Sequence, residues 1–115
     1  MNPQTTVLVE YHRSGGIAGR EDRLVVRSDG TAHLSQRGIE ADFTVAPDTL
    51  AQLRTLLAGI DFASLRAEYL PARRGADLFE YVVVCEGRRV RTMDTAVPDA
   101  LQPLLQLLSR LTARR

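Results

Sequence analysis

Leu24-Val25-Val26-Arg27-Ser28-Asp29-Gly30-Thr31 decides the fold. Asp-Gly between two alternating segments is the strongest short-range signal of a tight hairpin. Residues 23–28 and 31–36 are therefore expected to pair antiparallel. Upstream, Thr6-Val7-Leu8-Val9-Glu10-Tyr11-His12 is β-branched and aromatic and reads as a strand with Val7, Val9 and Tyr11 inward. Downstream, Ile39 to Val45 alternates with a period of two, which puts Ile39, Ala41, Phe43 and Val45 on one half-buried face.

Pro47-Asp48 then opens a helix in which Leu50, Leu53, Leu57 and Ile60 recur at helical spacing, until Gly59 ends it. Asp61 to Leu65 reads as one further short turn, and Tyr69 to Ala76, carrying Pro71 and Gly75, as an exposed connection. Asp77 to Glu86 is apolar on both faces, the mark of a strand inside the sheet, and the Gly87-Arg88 turn returns it as Arg89 to Met93. Leu101, Leu104, Leu105, Leu108 and Leu111 form the stripe of a last helix; Pro103 fits if that helix starts near 99–100, so that the ring lies in the first turn. Runs of strands closed by tight turns predict an α+β fold, an antiparallel-dominated or mixed sheet of about six strands with two amphipathic helices packed on one face. The expected core is Val9, Tyr11, Val26, Phe43, Leu53, Leu57, Tyr81, Val83, Leu104 and Leu108.

Composition bounds the function. A chain of 115 residues is expected to be a single domain, with residues 1–5 as a disordered tail. The lone Cys85 has no internal disulfide partner, and Met1 to Thr6 has neither the basic nor the apolar region of a secretion signal, so the expected compartment is the cytoplasm. No apolar run suggests a membrane span. All fifteen basic residues are arginine, yet the net charge is only +1, so no global field recruits nucleic acid or an anionic membrane. His12, His33 and Cys85 lack the spacing of a zinc site, and Asp77, Glu80, Glu86 and Asp94 have no spacing that makes two of them meet. No catalytic residue, metal or cofactor is expected.

What remains is Arg13-Ser14-Gly15-Gly16-Ile17-Ala18-Gly19-Arg20, read as an irregular loop. It matches neither the P-loop nor the dinucleotide fingerprint, because the lysine is missing and the segment joins two strands. With Asp61-Phe62-Ala63-Ser64-Leu65, Gly75-Ala76-Asp77-Leu78-Phe79-Glu80-Tyr81 and Ala96-Val97-Pro98-Asp99-Ala100-Leu101, this loop resembles the emfourin-type inhibitors of thermolysin-like (M4) metalloproteases. The chain differs from the family pattern in carrying Ile17 where phenylalanine is usual, and in an added hairpin over residues 28–45. The resemblance implies a non-enzymatic cytoplasmic protein that occludes the active-site region of such a protease; the sequence leaves the oligomeric state open, with a monomer favoured. Its expected contact residues are Arg13, Ser14, Gly15, Gly16, Ile17, Ala18, Gly19 and Arg20, with Arg73, Arg74 and Asp77. A stable inhibitor interface needs about 800 Å² per partner, so the connection Tyr69–Ala76 and the Gly87-Arg88 turn are candidates to join the loop. Two other readings stay open: the same fold with a different protein partner, or an anion or nucleic-acid binder using Arg88, Arg89, Arg91, Arg114 and Arg115.

Overall fold

The structure, a computed structural model, describes residues 6–17, 19–72 and 78–113. Gly30, at φ +91°, closes the decisive hairpin between β2 (Arg20–Arg27) and β3 (Thr31–Gln36). The Asp29 carboxylate accepts the Thr31 backbone N–H at 2.9 Å and the Thr31 hydroxyl at 2.7 Å. β1 (Val7–Gly15) precedes this pair, and β4 (Ile39–Thr44), α1 (Pro47–Gly59) and a 3-10 turn at Phe62–Ser64 follow it. After these come β5 (Glu68–Tyr69), β6 (Phe79–Cys85), β7 (Arg88–Met93), a second 3-10 turn at Asp99–Leu101 and α2 (Gln102–Thr112).

The strands form one mixed sheet in the order β4-β3-β2-β1-β6-β7-β5, antiparallel at every step except β7 to β5. Seven strands replace the expected six or so because β5 is only two residues long, too short to carry an alternation signal. β6, apolar on both faces, lies inside the sheet between β1 and β7.

Both helices pack on the face that carries Val9, Tyr11, Leu24, Val26, Val83 and Val90, forming one core with Leu53, Leu101, Leu104 and Leu108. Of the expected core, Val9, Tyr11, Val26, Leu53, Val83, Leu104 and Leu108 are fully buried, and Phe43, Leu57 and Tyr81 are half-buried against them. α2 alone buries five leucines, a gross contribution of roughly 10 kcal/mol at about 2 kcal/mol each. Pro103 lies in its first turn, where the missing N–H has no helical partner to lose. Two polar contacts fasten α2 to the sheet: the Tyr11 and Ser109 hydroxyls are 2.8 Å apart, and the Gln36 amide donates to the Thr112 carbonyl at 2.9 Å.

Three inward expectations fail, each for a topological reason. Ile39 and Ala41 share the helix-side face with Phe43, but β4 is the outermost strand and α2 ends beside Gln36 of β3, so both are exposed. Val7 is 48% exposed because the β1–β2 register shifts between Val7 and Val9. Residues 1–5, expected as a tail, lie outside the described residues. Among the described residues, no helix is long and apolar enough to cross a membrane.

Candidate functional site

The segment from Arg13 to Arg20 is mostly strand, which corrects its reading as a continuous loop. β1 runs through Arg13, Ser14 and Gly15, β2 begins at Arg20, and Gly15 pairs with Arg20, so only residues 16–19 form the turn. The strand persists because its end is held on both sides. Gly15 also pairs with Phe79 of β6. On the helix side, the Arg13 guanidinium donates to Asp22 Oδ2 through Nε at 3.0 Å and Nη2 at 2.8 Å, and Nη2 reaches Thr112 Oγ1 at 3.3 Å. Asp22 is buried, and its second oxygen accepts from the Gln36 amide at 3.1 Å. This charge is taken from water yet fully partnered, so Arg13 fixes the base of the turn and is not free to reach a partner.

The turn packs so closely on β6 that two of its positions admit only glycine. Gly15 lies at φ +99°, and a Cβ there would stand 2.8 Å from the Leu78 carbonyl oxygen. Gly16 lies at φ +75°, and a Cβ there would stand 2.7 Å from Cε1 of Phe79. The Gly16 N–H donates to the Leu78 carbonyl at 3.1 Å, and Gly19 N–H closes the turn on the Gly16 carbonyl at 3.2 Å. Phe79 is thus the floor of the turn, with the Arg13 guanidinium 5.5 Å from the centre of its ring. At the tip, Ile17 is 89% exposed.

Asp94, just beyond β7, holds that floor. Its Oδ2 accepts the Phe79 backbone N–H at 2.8 Å, its own N–H returns to the Phe79 carbonyl at 3.1 Å, and its Oδ1 accepts the Tyr81 hydroxyl. Burial, reinforced by the Asp94 carboxylate, pushes the Tyr81 phenol well up, so the hydroxyl stays protonated and keeps donating. Beside this pair opens a cleft of about 570 Å³ between the sheet and α2, lined by Tyr81, Asp94, Val97, Leu105 and Arg110 among others.

Cys85 and the two histidines have shifted titration behaviour, each from its own surroundings. Burial pushes the Cys85 thiol up, away from the reactive thiolate. His33 sits between two carboxylates, with Nδ1 2.6 Å from Asp42 and Nε2 2.8 Å from Glu40, and these contacts raise its pKa. His12 moves the other way, lowered by burial and then by Arg23. Among the described residues, no three His, Cys, Asp or Glu side chains gather to hold a metal ion. The arrangement presents an apolar tip at the end of the β1–β2 hairpin.

Of the other expected site residues, Ala18, Arg73, Arg74 and Asp77 lie outside the described residues. Of the described residues that flank them, Tyr69 ends β5 at the same end of the sheet as the turn, and the Leu78 carbonyl accepts the Gly16 N–H. The Gly87-Arg88 turn is at the opposite end, because Cys85 pairs with Arg88 while Phe79 pairs with Gly15, and it is too far away to join the site. Arg91 is occupied by Glu68 at 2.9 Å and Glu80 at 2.8 Å. Phe79 and Asp94 were not expected as supports of the turn: both are visible in the sequence, but their role depends on β6 pairing with β1, which no local pattern encodes. No protein-family model matches the chain, and no curated protein matches it either.

Proposed function

We propose that the protein is an inhibitor of a thermolysin-like zinc metalloprotease, acting by steric occlusion with the turn at residues 16–19. The observation that carries this reading is Ile17, an aliphatic side chain left 89% exposed beside Gly16, whose N–H is tied to the Leu78 carbonyl and whose carbonyl accepts the Gly19 N–H. An apolar tip gains up to about 2 kcal/mol when a partner covers it. Holding the turn in shape beforehand avoids an ordering cost of about 0.5–1.5 kcal/mol per immobilised side chain. The resemblance of residues 13–19 and the later segments to the emfourin-type inhibitors supplies the target class. The buried, unpaired Cys85 suits the reducing cytoplasm, the compartment proposed for its action.

The test is inhibition of thermolysin and of the metalloprotease encoded nearest to this chain, by the unaltered protein, Gly16→Val and Ile17→Asp, each first checked by thermal melting. The unaltered protein should inhibit; Gly16→Val should fail through a displaced tip and Ile17→Asp through a charged one. An unaltered protein that inhibits neither enzyme overturns the proposal.

A further inference from the structure

We infer that the β3–β4 turn is a second contact loop on the same surface, with Ile39 as its anchor, so that the partner is gripped at two apolar points. Among the described residues, three large aliphatic side chains are markedly exposed: Ile17 at 89%, Ile39 at 76% and Val7 at 48%. The antiparallel meander β1-β2-β3-β4 brings its first and third turns to one end of the sheet, and these carry Ile17 and Ile39; Val7 starts β1 at the other end. Arg37-Gly38 is a two-residue turn with both φ positive, at +51° and +86°, closed by the Gln36–Ile39 pair. The Arg37 N–H donates to the Glu21 carbonyl of β2 at 3.1 Å, which ties this turn to the strand that leaves the glycine turn. That bond and the Gln36–Ile39 pair fix where Ile39 leaves the sheet.

The spacing suits one partner. Strands lie about 4.8 Å apart, so β4 is about 12 Å to the side of the β1–β2 turn. An interface of about 800 Å² per side spans about 30 Å, wide enough to take in both tips. Arg20 begins β2 between them, exposed; its guanidinium is 3.8 Å from an Asp22 oxygen that Arg13 already bonds at 2.8 Å, so it has donors to spare for a carboxylate. The partner chemistry is a protein face with two apolar depressions about 12 Å apart and a carboxylate between them. Resting on the reading above, that partner is the metalloprotease. A second copy of this chain fits poorly: pairing two β4 edges across a two-fold axis sets Glu40 and Asp42 against the same carboxylates of the other copy.

The experiment titrates one protease that the unaltered protein inhibits with Ile17→Asp, Ile39→Asp, Ile39→Ser and Arg20→Glu, with melting curves and sedimentation of each protein alone. Ile39→Asp should weaken inhibition at least about tenfold with an unchanged melting temperature, and Ile39→Ser by less; Arg20→Glu should weaken it about as much, with a lower melting temperature because its carboxylate faces the buried Asp22. If Ile39→Asp or, should that variant melt early, Ile39→Ser inhibits like the unaltered protein while Ile17→Asp does not, the second contact loop is wrong and the glycine-turn reading stands. Loss of all inhibition by the unaltered protein removes both. A dimer that Ile39→Asp dissociates assigns the patch to a second copy and overturns the inference.

Discussion

Adding one methyl group to each glycine of the turn tests its construction, because the three glycines share positive φ but differ in what surrounds them. At Gly19 a Cβ meets nothing within 4 Å, so Gly19→Ala carries only the left-handed backbone cost of about 1 kcal/mol. At Gly16 the Cβ falls 2.7 Å from the Phe79 ring, which must swing from under Arg13. The lost packing and cation–π contact bring the total to about 2–3 kcal/mol. At Gly15 the obstacle is the Leu78 backbone oxygen at 2.8 Å, and the atom that must move is the one that accepts the Gly16 N–H. Here about 3 kcal/mol or more is expected. Urea unfolding followed by circular dichroism gives the three values. Repeating Gly16→Ala in a Phe79→Ala background should recover about 1–2 kcal/mol, because the ring that obstructs the methyl is gone. Equal costs at the three glycines, or a Gly16→Ala cost that Phe79→Ala leaves unchanged, would refute the claim that Phe79 shapes the turn.

Arg13→Ala should lower stability by about 3 kcal/mol, because it leaves the buried Asp22 carboxylate short of donors, whereas Arg91→Ala, whose partners Glu68 and Glu80 are exposed and half-buried and both reach water, should cost under about 1 kcal/mol. In an NMR titration the two histidines should move to opposite sides of the ordinary value of 6.5, His33 above and His12 below. Because the folded state holds the His33 proton more tightly, its contribution is fully present below 6.5 and is lost as the pH rises through the raised value. His33→Ala should therefore lower the melting temperature more at about pH 5.5 than at about pH 8.5.

Much of this fold is legible in the sequence because it is built from short-range signals. Asp29-Gly30, Gly38 and Gly87 fix the turns, and alternation fixes which faces are apolar. Once the first turn is centred between Ile17 and Ala18, counting outward pairs Arg13 with Asp22, so the ion pair at its base is implicit in the spacing. Alternation does not say how far a covering helix reaches, which is why Ile39 reads as buried and is exposed. Nor does it say which non-sequential strands become neighbours. β6 joins β1 across residues 16–78, and that pairing alone puts Phe79 beneath Gly16 and carries the Gly87-Arg88 turn to the far end.

The central place of β1 also has a consequence for synthesis. Its partner on one side, β2, follows at once, but its partner on the other, β6, lies about 60 residues later, and α2, which closes over both, comes later still. At about 5–20 residues per second a nascent chain carries an open β1 edge for about 3–12 s, with the apolar face of the first four strands unroofed for longer. Throughout that interval the half-made sheet presents an unpaired edge to any extended chain, so chains halted before residue 101 are expected to aggregate more readily than the full-length protein, which pelleting of truncated chains checks.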